Sequence, residues 1–395
     1  MKYSELLEKY IHHELDAAQA AQIKADIDRH EAISNYLFDQ EMDEDIGFSE
    51  GNSEPSLKVD EQTKTYAKLI NQAIRRAFLK VGMGTACIIL AVVLGLSPLM
   101  DLLYYNPAET VGKDTNRLSL DWGIWSELNK PTNIRQNAIV FPRGYGKYTF
   151  TLEQNISYVG YFTHYSGSIA RNSLQLYTPD ALNGSSGNLF ANQQLDSSRP
   201  VSQQVNSECY IWAGGTQEKG AERLKELDEN RSYYAYVTLD QPLSLAEVQE
   251  IVKRNALSSN VWYAIRTTGG EYYGSMLGMW GSPNGVQNFY DGCEKYSWLT
   301  LLQSGTEESF EDIWSRYQDE EIMTTHFLSM LRYISDQQRF REMVGDYGGV
   351  YSEAISYVEQ NGLQIYGFVM VGQKEQLIEL NQDEQVFDIY AEEIR

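Results

Sequence analysis

The sequence predicts a multi-domain chain with three parts: a small all-α cytoplasmic helical domain, one transmembrane helix, and a larger α+β, β-rich extracytoplasmic region. The first observation is an apolar run, Val81 to Met100, with no ionised side chain between Lys80 and Asp101. About twenty residues at ~1.5 Å rise cross the ~30 Å hydrocarbon core of a bilayer. The second is the helical spacing of apolar residues before that run, and the third is the alternating, turn-punctuated pattern after it. The run is not at the N-terminus and continues into Leu102, Leu103, Tyr104 and Tyr105, unlike a secretory signal. Arg75, Arg76 and Lys80 precede it, whereas Asp101 and Glu109 are the first charges after it. The positive-inside rule therefore predicts a single-pass protein of the cell membrane, N-terminus cytoplasmic and C-terminus extracytoplasmic.

Residues 1–38 read as a helical domain. Tyr3, Leu6, Leu7, Tyr10, Ile11 and Leu15 share one helix face; Asp16 offers an N-cap, with Gln19 three positions on, for a second helix ending near His30. A third short helix carries Ile33, Tyr36 and Leu37. Three helices of this size bury little core, which suits them to docking on a partner. Residues 39–59, with Asp43, Glu44, Asp45, Glu50 and Glu54, read as an acidic linker. Residues 60–80 form a juxtamembrane helix whose stripe of Tyr66, Leu69, Ile70, Ala73 and Ile74 runs without a breaker into the span, 81–104. Such a stripe either folds back on its own bundle or is covered by another protein.

Residues 105–230 read as a β-rich domain, from runs such as Tyr148–Leu152 and Tyr158–Phe162 with turns at Pro142–Gly144 and Asn183–Gly184. A helical stretch near Glu218 to Asn230 leads into an α+β domain, 231–395. Its predicted order is strand 233–239, helix 244–254, strand 261–267, a Gly-rich loop 269–292, helices within 307–344 and at 351–359, strand 363–371, helix 374–380 and strand 385–390.

Composition narrows the function classes. A net charge of −23, spread over both sides of the run, leaves no basic face for direct DNA or RNA binding. Gly-x-Ser-x-Gly, His-Glu-x-x-His, Walker and Gly-x-Gly-x-x-Gly signatures do not occur, so no catalytic residues or cofactor are predicted. His326 sits among Phe327, Met330 and Leu331, the setting of a packed histidine. His12 and His13 are adjacent rather than four apart, so they do not form a helical metal pair. Cys87 lies inside the apolar run; Cys209 and Cys293 lie beyond it, where a disulfide is chemically allowed. Tyr272, Tyr273, Trp280 and Tyr290 cluster in the Gly-rich loop and are the ligand-site candidates, since such rings stack on sugars and line peptide grooves.

Tyr10-Ile-His-His-Glu-Leu-Asp, the Ala/Gln-rich helix after it and Asp26-Ile-Asp-Arg-His-Glu-Ala-Ile33 resemble the N-terminal domain of anti-sigma factors that hold extracytoplasmic-function sigma factors. Zinc-binding members carry a His-x3-Cys-x2-Cys cluster, whose ligand positions fall on Asp26, His30 and Ile33 here. That set has no thiolate, and Ile33 cannot coordinate, so the resemblance implies a zinc-free version held by packing. Pro98 to Asp101 and Tyr104 to Pro107 resemble the exit of the span in the sigma factor regulator N-terminal domain. Tyr234–Leu239 with Gln241–Ser244, Val261–Ala264, and Tyr366–Gly372 with Glu375–Ile378 resemble the sigma factor regulator C-terminal domain. The resemblance implies a single-pass membrane anti-sigma factor. Its partner would be an extracytoplasmic-function sigma factor held by Leu6, Tyr10, Tyr66, Leu69, Ile70, Ala73 and Ile74, and its outer domains would sense an envelope signal through an unknown ligand. The alternative is a membrane-anchored extracytoplasmic ligand-binding or adhesion protein with a short cytoplasmic scaffold.

Overall fold

A computed structural model describes residues 9–10, 15–45, 61–112, 115–131, 133–156, 161–177, 189–190, 199–203, 217–257, 260–269, 275–283, 295–301, 309–347 and 349–394. The chain divides into two compact units, Met1–Leu94 and Gly95–Arg395.

In the first unit, helix α1 (Ala17–Asp45) starts behind Asp16, whose carboxylate accepts the Gln19 backbone N–H at 2.8 Å. This is the N-cap the sequence predicts. The helix does not end near His30. No Gly or Pro occurs between Ala17 and Asp45, so nothing interrupts the hydrogen-bond ladder, and the two short predicted helices are one. It also takes in residues 39–45, the start of the segment predicted as linker; 46–60 lie outside the described residues. Of the first predicted helix, only Lys9 and Tyr10 are described, and both are helical.

Helix α2 (Glu61–Leu103) is continuous from the juxtamembrane stripe through the apolar run, as its lack of breakers predicts, and Pro98 is accommodated inside it. Among the described residues no helix is long and apolar enough to cross a membrane. Within 81–100, the side chains at 91, 93, 94 and 97 lie outside that description.

In the second unit, β1 (Thr110–Gly112) and β2 (Thr115–Asn116) form a small ribbon leading into helix α3 (Arg117–Asn129). The Asn116 side chain caps α3 by accepting the Ser119 N–H at 2.9 Å. Sequence reading placed this stretch in a β-rich domain. It misses the helix because every residue from Leu118 to Leu128 is buried, so the segment has no polar face and no helical period to read. Four antiparallel strands follow: β3 (Asn133–Gly144), β4 (Lys147–Ile156), β5 (Tyr161–Ala170) and β6 (Ser173–Leu176), paired in chain order. Alternation turns Tyr148, Phe150 and Leu152 into the core.

Helix α4 (Gln217–Lys225) precedes the second sheet, which contains β7 (Tyr233–Leu243), β8 (Trp262–Ile265), β9 (Leu277–Trp280), β10 (Ile365–Gly372) and β11 (Val386–Glu393). The strand order is β11-β7-β10-β8-β9, with every neighbouring pair antiparallel. Strand β9 lies inside the predicted Gly-rich loop. Its helices are α5 (Leu245–Arg254), α6 (Phe310–Gln318), α7 (Glu320–Asp336), α8 (Gln338–Met343), α9 (Val350–Asn361) and α10 (Lys374–Leu380). Ser244 and Glu247 form a reciprocal capping box at the start of α5.

Both faces of the five-stranded sheet are buried, so its strands read as near-continuous apolar runs. Ala235, Val237, Ile265, Phe368 and Met370 face one side, in a core shared with α3, the helices and the four-stranded sheet. Residues on both sides of 230 therefore contribute to this core. Tyr234, Tyr236, Trp262, Trp280 and Tyr366 face the other side, under Phe190.

The approach of α4 to β11 leaves no room for a side chain at Gly220 unless the buried Asp388 carboxylate shifts, because a Cβ there would sit 1.9 Å from Asp388 Oδ1. Gly220→Val should destabilise the folded unit by about 1–3 kcal/mol and lower its thermal midpoint by roughly 5 °C. A midpoint unchanged by calorimetry would show that α4 shifts at no cost.

Candidate functional site

A set of long-range polar contacts surrounds the end of α2. Tyr148 donates its hydroxyl hydrogen bond to Asp101 Oδ1 at 2.5 Å, fastening strand β4 to the last turn of the helix. One residue past Tyr104, the Tyr105 backbone N–H donates to Asn172 Oδ1 at 2.7 Å. Arg339 on α8 donates to the carbonyls of Leu102 and Tyr104 at 3.4 and 3.3 Å, answering acceptors that a helix end leaves without intrahelical donors.

Beneath these contacts lies a buried carboxylate. Asp121 is fully buried on α3 and accepts from Tyr105 at 2.8 Å and from Tyr333 on α7 at 2.5 Å. Tyr-Asp-Tyr thus joins the chain just beyond α2 to α3 and α7. Burial raises the Asp121 pKa to about 6, against the lowering effect of the two phenol donors. The Tyr105 ring also packs on Phe340 of α8, centroids 6.0 Å apart, and Trp122 meets Phe340 edge-on at 6.2 Å. The other end of α3 is held as firmly: the Trp262 indole donates to the Glu127 carbonyl at 2.7 Å, and Glu127 Oε1 lies 3.7 Å from His326 Nε2. His326 Nδ1 is 2.7 Å from the Trp298 carbonyl and must therefore carry the proton at that nitrogen.

A second buried carboxylate, Asp388 on β11, meets Arg223 on α4 at 3.3 Å. Burial raises its pKa to about 6, while the arginine acts in the opposite direction.

The residues singled out from sequence fall elsewhere. Among the described residues Ala73 and Ile74 are exposed on α2, Ile70 is half-buried and Tyr10 is half-buried. Tyr66 and Leu69 belong to α2, but their side chains, like the whole of Leu6, lie outside the described residues. Trp280 is not on an exposed loop. It is 2 % exposed in β9, on the sheet face beneath Phe190, because alternation along a doubly covered strand turns it inward. Tyr272, Tyr273, Tyr290, Cys209 and Cys293 lie outside the described residues. Sequence reasoning missed Asp121, although one signal was present: a lone acid between Leu118-Ser-Leu120 and Trp122. Nothing in the sequence links it to Tyr333.

Residues 224–392 match the family model described as sigma factor regulator C-terminal. Comparison with curated proteins and with solved structures found no match. The match begins within α4, ends within β11 and takes in the five-stranded sheet with α7 and α8. Over residues 224–392 this chain is therefore similar to the C-terminal domain of sigma factor regulators.

Proposed function

We propose that this chain is a single-pass membrane anti-sigma factor whose cytoplasmic helices sequester an extracytoplasmic-function sigma factor, and whose region beyond the helix senses a condition of the cell envelope. The observation that carries the reading is α2 itself: one uninterrupted helix bears the exposed Ala73 and Ile74, then the apolar run, then the end fastened to the sigma factor regulator domain. Along the run, Val81, Ile88, Ile89, Leu90 and Val92 are each more than half exposed. A helix with apolar residues turned outward on all sides matches hydrocarbon rather than water as its surroundings. The binding physics is occlusion, with the α2 stripe buried against the sigma factor's polymerase-binding surface. The joint around Asp101, Asp121 and Arg339 fastens the last turn of α2 within the unit that carries the sensing domain.

Co-purification of the full chain with its sigma factor from detergent-solubilised membranes tests the partner, and a stable stoichiometric complex without added metal is expected. Fusions after residue 60 should be active only with cytoplasmic reporters, and fusions after residue 230 only with exported ones, because Arg75, Arg76 and Lys80 resist translocation. The reverse pattern would remove the sigma-factor reading.

A further inference from the structure

We infer that the paired turns Tyr145–Gly146 and Arg171–Asn172, with Phe141, Arg143, Lys147 and Arg339 beside them, form a docking face for anionic phospholipid headgroups of the outer leaflet. This rests on the membrane-span reading of α2.

Both turns are two-residue hairpin connections, closed by the pairs Gly144 with Lys147 and Ala170 with Ser173. In each, both central residues are left-handed: φ is 54° and 67° at Tyr145 and Gly146, and 50° and 66° at Arg171 and Asn172. That conformation favours Asn-Gly. Here it presents a tyrosine and an arginine instead, at positions where neither side chain is conformationally favoured.

The two turns are bound to one another by the Arg171 N–H donating to the Gly146 carbonyl at 2.9 Å. They also sit against the end of the apolar run. A Cβ at Gly146 would lie 3.4 Å from the Met100 Cβ and 3.7 Å from the Tyr104 ring, while Asn172 holds the Tyr105 N–H. The Gly146 turn, with its backbone beside Met100 and Tyr104, lies at the level where the run leaves hydrocarbon, within reach of headgroups.

Their chemistry fits that level. Phe141 and Tyr145 are exposed, as aromatic residues are at bilayer interfaces. Within a chain of net charge −23, this corner gathers Arg143, Lys147, Arg171 and Arg339, and none of the four forms an ion pair among the described residues. The nearby Asp101 accepts from Tyr148. Each cation held near an anionic surface strengthens attraction about fivefold. The favoured occupant is therefore a phosphate-bearing lipid surface rather than a protein strand.

The test uses the full chain in nanodiscs, with Cys209→Ala and Cys293→Ala, and one nitroxide label at a time. One label is on Cys87; the other is on Ser173→Cys, with Cys87→Ala, at the exposed start of β6. Collision with oxygen and with a water-soluble nickel chelate is read in phosphatidylcholine discs and in discs about one-third phosphatidylglycerol. The expected result is a Cys87 label in hydrocarbon in both discs. The residue-173 label should lose at least about threefold of its nickel accessibility only in the anionic discs. Arg143→Glu with Lys147→Glu should abolish that loss. An unchanged label at 173, with Cys87 still in hydrocarbon, overturns the docking face alone. A Cys87 label open to nickel overturns the span, and the docking face with it.

Discussion

Ala73→Glu combined with Ile74→Glu is expected to release the sigma factor and make its regulon constitutive, without unfolding the chain. Both positions are exposed on α2, so the charges cost the free protein little. In the complex they would be buried without partners, at a cost of several kcal/mol, and each ~1.4 kcal/mol is tenfold in affinity. A nanomolar complex should weaken by about a hundredfold or more. Titration of labelled sigma factor against the solubilised full chain measures this, with far-UV circular dichroism as the folding check. Unchanged affinity would show that these positions face no partner, and that α2 there serves only as a stalk. Loss of helicity would place the stripe in the chain's own core.

Mild acidification is expected to stabilise the folded unit, the reverse of ordinary acid denaturation. Asp121 and Asp388 both titrate near 6 when folded, raised by burial, against about 4 when unfolded. Between those values the native state binds more protons than the unfolded state, so stability falls as pH rises through the window and levels off above about 6. Lowering the pH from about 7.5 to 5 should add about 1.4 kcal/mol per carboxylate. The groups of opposite sign do not cancel this. Lys295 and Tyr296 hold Asp336 below its ordinary value, Asn255 and Arg254 outweigh burial at Asp383, and Ser244 lowers Glu247. Stability from these three is present above their unfolded pKa values and is lost only as pH falls through the still lower folded ones. Asp121→Asn should remove about half of the gain, and Asp121→Asn with Asp388→Asn nearly all of it, in denaturant titrations followed by near-UV circular dichroism. A double variant that keeps the full gain would show that other groups carry the linkage.

Much of the second unit was legible because its periodicities are local. The α5 helix with its Ser244 cap, α10 from Lys374 to Leu380, and the strands beginning near Tyr233 and Trp262 lie where spacing and capping chemistry place them. The same reasoning predicted that the helix before the apolar run continues into it, since nothing from Glu61 to Lys80 breaks a helix. It failed where burial is complete. Helix α3 carries no polar stripe, and β9 is too short and too Gly-flanked to stand out from a loop.

The sequence by itself determined the apolar run, its charge asymmetry, the alternation of strands and helices, and the motifs of a sigma factor regulator. All of these depend on residues a few positions apart. Tertiary structure alone decided that Trp280 is core, that residues on both sides of 230 share one interior, and that Asp121 bridges Tyr105 and Tyr333. Those outcomes depend on pairs far apart along the chain, such as Asp121 with Tyr333 and Trp262 with Glu127, and no local period encodes which distant side chain will complete a buried hydrogen bond.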